Sequence, residues 1–93
     1  MSELDALRAR IDALDDALLA LVAERARVAS ALGFAKAALG RPLRDEAREA
    51  QVRARLTATA PMPLVADDVE ALQVTLARIC LRAQTDAVTR GRG

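Results

Sequence analysis

Arg25 and Lys36 are two cations eleven residues apart in a stretch that otherwise reads as one long amphipathic helix. Eleven residues are about three helical turns, so both side chains project from nearly the same face. Ala29 and Leu32 lie between them and form a short, largely apolar floor. Two cations over such a floor describe a pocket for a small anion with an apolar body. Arg8 lies on a nearby face but seventeen residues before Arg25, roughly 25 Å along a straight helix. No small metabolite touches both from one helix. Arg8 is either an ordinary solvated side chain or a contribution to the pocket of a second chain, which an antiparallel pair of long helices permits.

Further charges stand where apolar residues belong. In GRPLRDEAREAQ, residues 40–51, the helix start that follows the Gly40/Pro42 turn puts Asp45, Arg48 and Glu49 on the face carrying Val52 and Leu56. They form either a solvated face, with Asp45 paired to Arg48 one turn on, or the second wall of the same pocket. Cys80 and Gln84, one turn apart beside a later apolar stripe, are either packing filler and surface or a third wall. The chain has no His and one Cys. A Cys/His zinc site and a Ser-His-Asp triad are therefore excluded. Whatever chemistry occurs must use Arg, Lys, Asp, Glu, Gln, small polar groups and geometry.

Three helices position these groups. The first starts at the N-cap Ser2, with Asp5 three residues on. Leu4, Ile11 and Leu18 form one seven-residue row, and Leu7, Leu14, Leu21 and Val28 a second. This a/d pattern lasts about four heptads. Arg25 falls where the first row asks for another Leu. Gly33 weakens the helix by about 1 kcal/mol relative to Ala without ending it. The pattern predicts a helix to about Leu39, closed by Gly40, with Pro42 beyond. A second helix starts near Asp45 and fades in TATA, residues 57–60. PMP, residues 61–63, breaks the chain. The third helix has Asp67 as N-cap, Glu70 at the capping-box position, and a stripe of Val69, Leu72, Leu76, Ile79 and Ala83. The tail over residues 88–93 has nothing to bury and is expected to lack order.

A first helix of about 36 residues is roughly 54 Å long, and neither later helix can cover its seam. An uncovered seam of that size marks an interface, and a two-fold dimer is the commonest closure. The expectation is an all-α single domain over residues 1–93, with one long and two shorter helices. Fourteen basic against thirteen acidic residues give a net charge of +1, which offers nucleic acid little. No Trp, no Tyr and a single Phe leave nothing to stack bases on. No run approaches the ~20 apolar residues of a membrane span. The polar N-terminus MSELDALRAR has no signal-peptide core. A lone Cys gives no internal disulfide. The expected location is the cytoplasm.

Taken together, the pattern resembles the all-helical class of chorismate mutase, small enzymes built as intertwined homodimers. GRPLRDEARE is similar to that family's Gly-Arg-Pro-x-x-Asp-x-x-Arg-Glu stretch, LRARIDALDDALLALVAERARVA to its long first helix, and GFAKA to its lysine turn. The likeness spans roughly residues 4–86. It implies that Arg25 grips a substrate carboxylate and that Arg8 enters from the other subunit to help. It implies that Lys36 and Gln84 address the ether oxygen of the breaking bond. Asp45 and Glu49 would face the ring hydroxyl, with Arg48 organising the charges beside them. Cys80 stands where many relatives carry Ser as a donor, and a thiol is a weaker one.

The implied reaction, chorismate to prephenate, is a concerted [3,3] rearrangement that needs no nucleophile, metal or cofactor. It suits a chain so short of conventional catalytic groups. Two sibling activities use the same scaffold: 4-amino-4-deoxychorismate mutase and isochorismate pyruvate lyase. A non-catalytic helical dimerisation module is the more distant alternative, and it leaves the arginine on the seam unexplained.

Overall fold

The computed structural model describes residues 2–91. It contains α1 (Glu3–Ala38), α2 (Glu46–Thr59) and α3 (Ala66–Gly91), and no strand among the described residues. Each helix end has a local cause. The Ser2 side chain accepts from the Asp5 backbone N–H at 3.1 Å, satisfying a donor that the first turn leaves free. At the other end of α1, Gly40 takes φ 67°. The Arg41 N–H then bonds the Lys36 carbonyl at 2.9 Å and the Gly40 N–H the Ala37 carbonyl at 3.1 Å. This is a Schellman closure, and its left-handed residue favours glycine. Asp45 caps α2 by accepting from the Arg48 N–H at 2.9 Å. Asp45 thus meets Arg48 through its backbone.

Two expectations are revised. α3 begins at Ala66, one residue before the anticipated cap, because Asp68 reaches back to accept the Val65 N–H at 3.0 Å. The segment from Val88 also does not fall away as expected, since α3 stays helical through Gly91. The reason is a packing contact. The Phe34 ring lies so close to Gly91 that an added Cβ would meet its Cε1 at 2.6 Å. Residues 92 and 93, the rest of that tail, lie outside the described residues.

α3 packs along α1, and α2 rests on α3 without approaching α1. Arg25 meets Cys80, Ser30 meets Ala83 and Phe34 meets Gly91, so α1 and α3 run in the same direction. A close approach of the two backbones lies at Gly33, buried against Gln84. A Cβ there would stand 3.0 Å from the Gln84 Cβ and 3.1 Å from its Cα. The glycine that looked like a defect in the helix lets α3 come within reach of Lys36. Gly33→Ala is expected to lose about 1–3 kcal/mol to overpacking, offset by about 1 kcal/mol of helix propensity. A lower urea midpoint and a several-fold lower kcat check this. Unchanged values for both would mean that the helices part without cost.

The chain extends 56 × 31 × 14 Å. That thin dimension, with α3 packed between α1 and α2, places the three helices side by side in a single layer. Little is buried: Ala29, Val52, Val69 and Cys80 are the apolar core, with Gln73 and Gln84 beside them. Every α1 residue from Glu3 to Leu21 is exposed. That includes all the row members Leu4, Leu7, Ile11, Leu14, Leu18 and Leu21. The accessible surface is 7187 Å², whereas a compact monomer of 9.9 kDa would expose about 5,200 Å². No helix among the described residues is long and apolar enough to cross a membrane.

Candidate active site

A cleft of about 250 Å³ is bounded by α1, the start of α2 and α3. That is at the low end for a ligand cavity and suits a small metabolite. Arg25, Lys36, Asp45, Arg48, Glu49, Cys80 and Gln84 all line it, over a floor that includes Ala29 and Val52. The charges of the second helix thus face the same space as the cations of the first. Arg8 is not among the lining residues. It is exposed on the uncovered half of α1, as its distance along the helix requires.

Lys36 sits in the last turn of α1, where the Schellman closure folds the chain back over it. Its Nζ donates to the Leu43 carbonyl at 2.7 Å and to Gln84 Oε1 at 3.0 Å. An ammonium has no acceptor, so the amide oxygen of Gln84 must be the atom that faces it. The Gln84 Nε2 is thereby left as a donor beside the third N–H of Lys36. The two make adjacent donors on one wall, held by Gly33 beneath and the turn above. Ser30 links α1 to α3 nearby through its hydroxyl, whose one proton is shared between the Ala26 carbonyl at 3.2 Å and the Ala83 carbonyl at 3.3 Å.

At the opposite end Arg25 donates from Nη1 to the Cys80 Sγ at 2.9 Å. Cys80 is 7% exposed and here acts as an acceptor that fixes a guanidinium. That is a different task from the donor role of a serine. The remaining N–H groups of Arg25 stay free to hold a planar anion such as a carboxylate. At the α2 side, one Asp45 oxygen is committed to the cap. The Glu49 carboxylate lies 3.9 Å from the Arg44 Nε, so an arginine outside the cleft offsets its charge. Among the described residues no cluster of His, Cys, Asp or Glu could hold a metal ion.

The structure also brings in Gln73, which the sequence reading passed over. Its side chain is 2% exposed and borders the cleft. The face of α3 that points inward carries Val69, Gln73, Cys80 and Gln84. Leu72, expected within, is 47% exposed. The available signal was spacing: Gln73 precedes Cys80 by seven residues and Gln84 by eleven, so all three share one face.

The cleft's upper wall is incomplete. Val28 and Leu32 line it yet remain 63% and 48% exposed. It opens toward the uncovered face of α1.

Residues 7–85 match the family model described as chorismate mutase type II. Over 51 residues, 55% of the chain, it is 51% identical to the bifunctional chorismate mutase/prephenate dehydratase of Escherichia coli K12. It matches the Shigella flexneri protein of the same description to the same extent. The matched segment spans only 13% of either relative's length. The structure superposes on chorismate mutase from Thermus thermophilus with a TM-score of 0.81 at 29% identity. That likeness covers 85% of this chain and 99% of the other.

Proposed function

The chain belongs to the chorismate mutase type II family, and from that premise we propose that it isomerises chorismate to prephenate. In this rearrangement the ether C–O bond breaks as a C–C bond forms, and no group leaves the substrate. The catalyst must hold a flexible dicarboxylate in its compact reactive shape and stabilise negative charge growing on the ether oxygen. The observation that carries the reading is the Lys36–Gln84 pair. Its two adjacent donors form one wall of an anion-sized cleft, while Arg25, steadied by Cys80, stands at the other end.

The roles proposed are those that the family resemblance implies, and the positions of the residues in the cleft are compatible with them. Arg25 takes one substrate carboxylate, and Lys36 and Gln84 take the ether oxygen. Asp45 and Glu49 receive the ring hydroxyl, and Arg48 balances them. Asp45 has one oxygen in the helix cap, and Arg44 stands beside Glu49. Arg44 is shared with Glu46, at 3.5 Å, so the Asp45 and Glu49 carboxylates keep their charge. They accept from the ring hydroxyl and would accept equally from the ammonium of the 4-amino analogue, and the product assay separates the two substrates.

The working form in this proposal is a homodimer in which the N-terminal half of a partner's α1 covers the open cleft and delivers its Arg8. Three observations support it. The chain is one helix thick. It exposes about 2,000 Å² more than a compact monomer of its mass. The cleft opens on the same uncovered face.

A product assay tests the activity. Purified protein is offered chorismate, isochorismate and 4-amino-4-deoxychorismate. The expected result is prephenate from chorismate at the highest kcat/KM of the three. Pyruvate release without prephenate would replace the mutase reading with a lyase one.

A further inference from the structure

Gln73 is more deeply buried than any other polar residue in the core, at 2% exposure, and both ends of its amide are bonded. Its Nε2 donates to the Glu49 carbonyl at 3.3 Å and its Oε1 accepts from Arg53 Nη1 at 3.3 Å. Both partners belong to α2, so one α3 side chain grips two successive turns of that helix. A buried amide is costly unless both ends are matched, and its two bonds fix α2 in register and in rotation. This grip is important because α2 has no neighbour but α3. It does not approach α1, where Arg25 and Lys36 stand. The distance from Asp45, Arg48 and Glu49 to those cations is therefore set indirectly. One tie is the Lys36 bond to Leu43 in the preceding loop, and the other is the Gln73 clamp.

We propose that Gln73 is a positioning residue for the reaction. It holds the first turn of α2 so that the Glu49 side chain enters the cleft at the height of the substrate. Its own amide has both ends engaged on α2 and needs no contact with substrate. The inference rests on the mutase reading for its kinetic consequences, but the clamp itself can be examined without turnover.

Gln73→Met keeps the side chain's length and apolar bulk and removes both bonds. Gln73→Glu keeps the acceptor for Arg53 but cannot donate to the Glu49 carbonyl. Both are expected to lower kcat/KM by about tenfold to a hundredfold, the scale of a misplacement of about 1 Å. In a Glu49→Gln background the same substitutions should cost less than about threefold, because residues that act through one another are not additive. A role in stability alone predicts a lower Tm with kcat/KM unchanged, or an undiminished loss in both backgrounds, and either result overturns the proposal. If the unaltered protein turns over none of the three candidate substrates, the functional reading fails separately. The clamp is then judged by amide hydrogen exchange in the full-length protein. Gln73→Met should release the amides of residues 49–53 while those of residues 29–36 stay protected. Equal protection of residues 49–53 in both proteins overturns it.

Discussion

Lys36→Ala is expected to lower kcat on chorismate by about 10²- to 10³-fold, the loss of one preorganised donor to a developing oxyanion. Two effects act together. The ammonium itself is gone, and Gln84 Oε1 loses the partner that directs its Nε2 outward. The Leu43 carbonyl also loses its donor, and an unmatched buried group costs about 1–3 kcal/mol. A melting curve must therefore accompany the kinetics. Lys36→Met separates the terms, since it restores apolar bulk but no donor. It should be as slow as Lys36→Ala and melt closer to the unaltered protein. A Lys36→Ala protein that stays folded with full kcat would remove the ether-oxygen role of this residue.

Arg25→Ala and Arg8→Ala, each alone, should lower kcat/KM by about 10²- to 10³-fold, because truncating one partner of a buried charge pair costs about 2–5 kcal/mol. Mixing the two inactive proteins is the decisive experiment. In a two-fold dimer that exchanges Arg8 between chains, a mixed pair has one site with both arginines and one with neither. Random reassortment of equal amounts then restores about a quarter of the unaltered activity. If Arg8 served its own chain, mixing would restore nothing. Full activity in Arg8→Ala alone would make that side chain an ordinary solvated one.

The ends of α1 and the start of α2 were the most legible part of the sequence, because they depend on residues within a turn of each other. Ser2 with Asp5, Gly40 before Pro42, and Asp45 each state their role locally. The grouping of seven charged and polar residues about one cleft was legible in part. Arg25, Asp45, Arg48 and Glu49 broke apolar periodicities, but a solvated face accounted for the last three equally well, and the family resemblance was needed to join them to one pocket. Gln73 was not legible, since an apolar count treats a glutamine as outward. Its burial depends on partners twenty and twenty-four residues away in sequence. Gly33 appeared as a flaw because its benefit lies on another helix. The last turn of α3 was missed similarly: its support is a ring more than fifty residues earlier.

A layer one helix thick has no middle. Nearly every side chain in it lies against water or against whatever a second copy supplies. Under the pairing proposed above, folding and mutual recognition draw on the same apolar surface. Dilution then acts as a denaturant. Below the concentration at which copies find each other the protein does not become a population of intact half-enzymes. It loses the surface that keeps its helices side by side, and its shape and its catalysis fade together.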